Sequence, residues 1–176
     1  MLKILGVGLS RTGTRSLAEA LRILGYNTLH WAPERLRDTV DGNTAKPEVR
    51  KYDDVDAVVD IPAAYFWREL DREYPGLKFI LTVRERDSWL ESVAKHYARI
   101  GPVDPNLQAM VYGSTKVIPW LYWRHYVTHT GTLMKTFGPD RLLVMDILQD
   151  PSWQRLCWFL NKPIPDVPFP HKTDAL

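Results

Sequence analysis

The sequence predicts a single α/β domain built on a parallel sheet of about four or five strands with helices on both faces. Three observations carry this. Short, almost wholly apolar runs recur at 2–7, 57–60, 77–83 and 141–146, as strands covered on both faces should read. Between them lie stretches with apolar residues at helical spacing, so strands and helices alternate. The chain of 176 residues, without internal repeat or evident linker, suits one domain spanning 1–176.

Taken in order, the first strand runs into a turn punctuated by Gly6, Gly8 and Gly13. Residues 16–24 read as a helix, with Leu17, Ala20, Leu21 and Leu24 on one stripe and Gly25 placed to stop it. A short strand at 26–31 and a short helix opened by Pro33 follow, then a polar, turn-rich loop at 41–47. The strand at 57–60 ends in a carboxylate. Pro62 suits the first position of a helix that runs to about Tyr74, with Phe66, Trp67, Leu70 and Tyr74 inward, until Pro75-Gly76 ends it. After the strand at 77–83, Ser88-Trp89-Leu90-Glu91 has the form of a capping box and opens a helix burying Trp89, Leu90, Val93, Tyr97 and Ile100. A loop at 101–106, a helix from about Leu107, a longer helix over 118–137 and the strand at 141–146 come next. Asp150-Pro151 reads as cap and first residue of a last helix with Trp153, Leu156, Cys157 and Leu160 inward. The tail after Asn161 holds Pro163, Pro165, Pro168 and Pro170 and is expected to pack as an extended segment.

Composition narrows the function. The 23 Lys and Arg against 21 Asp and Glu leave a net charge of +2, too balanced for a general nucleic-acid or membrane-surface binder, so any basic site must be local. The single cysteine, Cys157, excludes a disulfide framework and a cysteine-based zinc site. No stretch approaches 18 consecutive apolar residues, and the N-terminus lacks the small-residue cleavage site of a signal peptide, so a cytoplasmic protein is expected.

Ligands of parallel sheets bind beyond the carboxyl ends of the strands. Three segments there carry chemistry: 8–16, Asp60, and 84–92. In the first, the glycines let the backbone turn tightly and aim several N–H groups at one spot, and the helix that follows adds its positive dipole end. Arg11, Thr12, Gly13, Thr14, Arg15 and Ser16 supply charge, hydroxyls and backbone donors, a set that fits a phosphate or sulfate. Gly8 and Gly13 have the spacing of a nucleoside-triphosphate phosphate loop, but Thr14 stands where its lysine belongs, which counts against an ATP- or GTP-hydrolysing protein. In the last segment Arg84 gives a permanently charged planar fork at a strand end, and Ser92 adds a hydroxyl from the next helix.

Together these segments resemble the sulfotransferases that use 3′-phosphoadenosine 5′-phosphosulfate (PAPS). Ser10-Arg11-Thr12-Gly13-Thr14-Arg15 is similar to their first motif, approximately P-[KR]-[ST]-G-T-[TS], and Arg84 with Ser92 has the spacing of their second. The resemblance extends over nearly the whole chain and implies a P-loop-type fold. It also implies that Arg84 and Ser92 hold the 3′-phosphate, and that PAPS is co-substrate with 3′,5′-ADP (PAP) as product. Asp60-Ile61-Pro62 falls where the family carries its catalytic base. Ser10 and Arg15 depart from the pattern; no basic, Gly-rich segment closes over the 3′-phosphate, and Lys172 is the candidate substitute.

The resemblance implies a metal-independent enzyme that moves a sulfuryl group from PAPS to a hydroxyl or amine of a small-molecule or glycan acceptor. Arg11 would meet charge on the leaving oxygen, and Asp60 would take the acceptor's proton. A structural reading of Asp60, orienting Arg11 or Arg84, stays open, as does a likeness of 57–60 to a magnesium-binding strand. His125 and His129, four apart on one helix, read as core or acceptor-contact histidines rather than metal ligands; His30 is a weaker acceptor-site candidate and His96 is placed on a solvated face. Trp120, Tyr122, Trp123 and Tyr126 form an aromatic patch read first as core, with an acceptor pocket or a dimer surface as alternatives. Two rival functions remain open: a P-loop small-metabolite kinase, and a non-catalytic PAPS/PAP-binding protein. A homodimer is open.

Overall fold

A computed structural model of the chain describes residues 1–101 and 104–172; residues 102–103 of the expected 101–106 loop and the last four residues lie outside it. Five strands, β1 (Ile4–Gly6), β2 (Thr28–His30), β3 (Ala57–Val59), β4 (Lys78–Thr82) and β5 (Leu142–Met145), form one sheet in the order β2-β3-β1-β4-β5. Every pairing is parallel, with Leu5 of β1 opposite Val58 on one side and Phe79 on the other. Among the described residues, seven α-helices accompany them: α1 (Thr14–Ile23), the short α2 (Arg37–Val40), α3 (Trp67–Glu73), α4 (Arg86–Ile100), α5 (Pro105–Tyr112), α6 (Pro119–Thr136) and α7 (Trp153–Leu160). The predicted α/β class with helices on both faces is what is observed.

The pleat explains the layers. Ile4, Ala57, Val59 and Ile80 face α1 and α7, where Leu17, Leu21, Trp153, Leu156 and Cys157 meet them. Leu5, Val58, Phe79 and Leu81 face the other way, against Trp67, Leu70 and Tyr74 of the α3 region and Leu133 of α6. A third core joins Trp89 and Val93 of α4, Leu107 and Tyr112 of α5 and Tyr122 and Tyr126 of α6 to Leu9 and Ile61. This helical cluster stands beside the carboxyl ends of β1, β3 and β4, so the central strands end in a recess rather than at open surface. The tail packs without regular structure as expected: Trp153 Nε1 donates to the Val167 carbonyl (2.7 Å), and Phe169 lies 4.8 Å from the Trp153 ring.

Three expected helix starts are corrected, and side-chain bonds to the backbone are the reason each time. No helix begins at Pro62. Asp60 takes a left-handed backbone (φ 79) and its Oδ1 accepts from the Ile61 N–H (2.8 Å), so turns follow and α3 begins at Trp67. Helix α4 begins at Arg86, not Ser88, because the Glu85 carboxylate caps it by accepting from the N–H groups of Asp87 and Ser88 (2.9 and 2.8 Å). Helix α7 is capped by Ser152, whose hydroxyl accepts from the Arg155 N–H (3.3 Å), rather than by Asp150. Ile100, expected inward, is 43% exposed.

Candidate active site

The connection from β1 to α1 is built for close approach. Arg11 (φ 73) and Gly13 (φ 95) both lie in the left-handed region. Glycine holds that conformation without steric cost, whereas Arg11 holds it at about 1–2 kcal/mol. Strain of this kind collects at binding sites. Gly13 is the N-cap of α1 and brings no capping side chain, so the helix starts at the loop with its positive dipole end, the end that favours an anion. Arg11, Gly13, Thr14 and Arg15 line a cleft of about 720 Å³. The other two expected contacts, Thr12 and Ser16, point elsewhere. The Thr12 hydroxyl donates to the Leu9 carbonyl (2.7 Å) and pairs with Thr82 Oγ1 (2.6 Å), and Ser16 Oγ accepts from the Lys172 N–H (2.9 Å). Both shape the loop from behind.

Two guanidinium groups converge beside it. Arg84 leaves the end of β4 with Nε donating to Ser88 Oγ (2.8 Å) and Nη1 to the Arg11 carbonyl (3.1 Å). Arg11 Nε donates to Ser92 Oγ (3.1 Å). Arg84 and Ser92 therefore share the cleft, but each serves a different partner: Ser88 steadies Arg84 and Ser92 steadies Arg11. Burial, and after it the nearby Arg11, push the Arg84 guanidinium below its ordinary pKa, against the opposing pull of Asp146, Glu91 and Glu85. Cations crowded at a helix N-terminus in a recess are a receptor for an anion.

Two aromatic residues that spacing alone did not single out for the site hold this arrangement. The Tyr126 hydroxyl accepts from the Arg84 N–H (2.9 Å) and donates to the Arg84 carbonyl (3.2 Å), clamping its backbone. Trp89 Nε1 donates to the Ser10 carbonyl (3.0 Å), tying α4 to the loop. The aromatic patch thus divides. Tyr122 and Tyr126 are core, stacked on Tyr112 and Trp123, while Trp120 is exposed beneath Arg124.

Asp60 lies at the floor of the cleft and is 4% exposed. Its Oδ1 accepts from Ser10 Oγ (2.7 Å) and the Ile61 N–H (2.8 Å); its Oδ2 accepts from Thr14 Oγ1 (2.8 Å) and lies 3.3 Å from His30 Nε2. Burial alone pushes this carboxyl up, but His30, Ser10 and the Ile61 N–H together outweigh it, and the group sits below its ordinary pKa. Asp60 thus stands where the sequence puts it, with the structure adding a set of donors around both oxygens.

The cleft continues past Asp60 between Trp31, Ile61, Tyr97 and Leu107. His96, expected on a solvated face, lines it instead, its ring packed edge-on against Tyr97 at 5.2 Å. His171 and Lys172 close the side nearest α1, and Lys172 Nζ stands 3.8 Å from Glu19. Of the other histidines, His129 Nε2 bonds the Val7 carbonyl (2.7 Å) behind the loop; His125 packs against Gly113. Burial pushes both imidazoles below their ordinary pKa.

The class follows from this fold and the sequence together. The chain belongs to the sulfotransferase domain family, which it matches over residues 3–175. It is an enzyme of the sulfotransferase class. Among individual proteins, it is 29% identical over a 214-residue alignment to Ava biosynthesis cluster protein M of Aspergillus versicolor, covering 97% of this chain and 80% of that protein. Its fold is similar to that of a crystallised sulfotransferase from Alicyclobacillus acidocaldarius, with a TM-score of 0.61 at 16% identity over 99% of this chain and 87% of the other. Among the described residues, no helix is long and apolar enough to cross a membrane.

Proposed function

We propose that this protein transfers a sulfuryl group from PAPS to a hydroxyl or amine of a small-molecule or glycan acceptor, without a metal ion. The observation that carries the reading is the convergence of Arg11, Arg84 and the N-terminus of α1 on one cleft, where burial first, and Arg11 after it, hold the Arg84 guanidinium below its ordinary pKa. Such a site gains most from a ligand with more than one anionic group. Arg11, Gly13, Thr14 and Arg15 take the 5′-phosphosulfate end, and Arg84 with Ser92 takes the 3′-phosphate. Thr12 and Ser16 support the loop. Lys172, beside the loop, adds a further positive charge at the donor end. Arg11 stabilises charge growing on the oxygen that leaves with the 5′-phosphate. Removal of the acceptor's proton depends on Asp60, at the junction of the donor loop and the apolar continuation of the cleft.

A thermal-shift comparison of 3′,5′-ADP with ATP plus magnesium tests the reading. A ligand at 100 times its dissociation constant stabilises by about 2.7 kcal/mol. For a chain of this size that raises Tm by roughly 5–11 °C. A response to 3′,5′-ADP is expected; a response to ATP with magnesium alone refutes the PAPS assignment and favours the kinase.

A further inference from the structure

We propose that His30 Nδ1 is the atom that receives the acceptor's proton, and that Asp60 is the positioning residue that holds the imidazole for it. The inference rests on the sulfuryl-transfer reading above and assigns the base within it.

Asp60 is already engaged within the protein. Its two oxygens already take bonds from Ser10, Ile61 and Thr14, and His30 Nε2 stands against Oδ2 at 3.3 Å. A carboxylate so occupied and so buried has little room to meet an acceptor hydroxyl directly. His30 differs. It comes from the end of β2, on the far side of β3 from the donor loop, and its ring reaches both Asp60 and Thr14 Oγ1 (3.1 Å). Thr14 has one hydroxyl proton, which it gives to Asp60 at 2.8 Å. A bare Nε2 would set its lone pair against the Asp60 carboxylate, so Nε2 carries the hydrogen and Nδ1 carries the lone pair. Among the described residues nothing hydrogen-bonds Nδ1, yet it is not one of the buried polar atoms left without a partner. It therefore opens to the cleft that His30 lines, next to Thr14 and the loop that receives the donor.

The step balances without any further reactant. The acceptor O–H proton passes to His30 Nδ1 as the acceptor oxygen bonds to sulfur. The bond from sulfur to the bridging oxygen breaks, and its electron pair leaves with the 5′-phosphate of 3′,5′-ADP. His30 becomes an imidazolium paired with the Asp60 carboxylate 3.3 Å away.

The test uses the full chain. Nitrogen-15 NMR of the histidine side chains reads the tautomer directly and needs no acceptor. Neutral His30 should be the Nε2–H form in the wild type, and Asp60→Asn should shift it toward the mixed populations of an unconstrained imidazole. An Nδ1–H form in the wild type overturns the proposal. Calorimetry with 3′,5′-ADP runs alongside on wild type and His30→Gln, which keeps a donor toward Asp60 and so guards the fold. Binding within threefold in both, with sulfate release from PAPS to water reduced about 10²–10⁴-fold in His30→Gln, supports the proposal. Partial recovery of His30→Ala by added imidazole supports it again, since a merely structural histidine gives no such rescue. Intact binding with wild-type release in His30→Gln overturns the assignment and leaves the donor reading standing. Absence of 3′,5′-ADP binding to the wild type overturns the donor reading, and His30's role with it.

Discussion

Replacing Gly8 with alanine is expected to damage both the fold and the donor site, because the loop passes against β4 at that point with no room for a side chain. A Cβ on Gly8 falls 1.8 Å from Thr82 Oγ1 and 2.8 Å from each of Thr12 Oγ1 and the Thr82 carbonyl oxygen. The Thr82 hydroxyl can rotate away only by breaking its buried 2.6 Å bond to Thr12, and the carbonyl cannot move without β4. Overpacking of this kind costs about 1–3 kcal/mol. Thr12 keeps the Leu9 carbonyl as a partner, so Thr82 is the group left unsatisfied, for about 1–3 kcal/mol more. The sum, about 2–6 kcal/mol, lowers Tm by at least roughly 4 °C in a chain of this size. Scanning calorimetry measures the loss, and titration with 3′,5′-ADP should show weakened binding as the loop N–H groups are displaced. Thr82→Ala removes the atom at 1.8 Å while leaving the carbonyl. The double variant should therefore be more stable than the two single changes sum to, by about 0.5–3 kcal/mol. A Gly8→Ala protein melting within 1 °C of wild type, or strict additivity in the double variant, would refute the close-approach argument.

Arg84→Ala should weaken 3′,5′-ADP by roughly 10- to 150-fold in calorimetry, the value of a charge-assisted hydrogen bond, and weaken 5′-AMP much less; equal losses remove the 3′-phosphate assignment. Arg11→Ala should lower turnover about 10²–10³-fold with a smaller effect on nucleotide affinity, since charge on the leaving oxygen is largest in the transition state. A rise in the Michaelis constant for PAPS at unchanged turnover makes Arg11 a ground-state binder instead. His129, held below its ordinary pKa by burial, resists a proton that the unfolded chain accepts. Stability should therefore fall as pH drops below the unfolded histidine value of about 6.5, until the depressed native pKa is reached. His129→Gln, which retains a donor for the Val7 carbonyl, should flatten the melting temperature between pH 7 and 5 relative to wild type; an unchanged slope refutes the linkage.

What the amino-acid order determined by itself is local. Apolar runs at 2–7, 57–60, 77–83 and 141–146 specify strands that must be buried on both faces, and β1, β3, β4 and β5 formed inside them. Gly13 after Arg11 specifies a turn into a helix N-terminus, and the position of Arg84 after an apolar run places a cation at a strand end. Those features depend on periods of two or three to four residues along one chain segment. The pairings that make the site depend instead on segments far apart in sequence: Arg11 with Ser92, 81 residues apart, and the Arg84 N–H with Tyr126, 42 apart. The strand order is the physical reason. It sets β3 between β1 and β2, so that His30 and the donor loop arrive on opposite sides of Asp60 and meet over it. No spacing in the sequence encodes that meeting, because a parallel sheet fixes neighbours by strand order and register, and only the folded chain decides both.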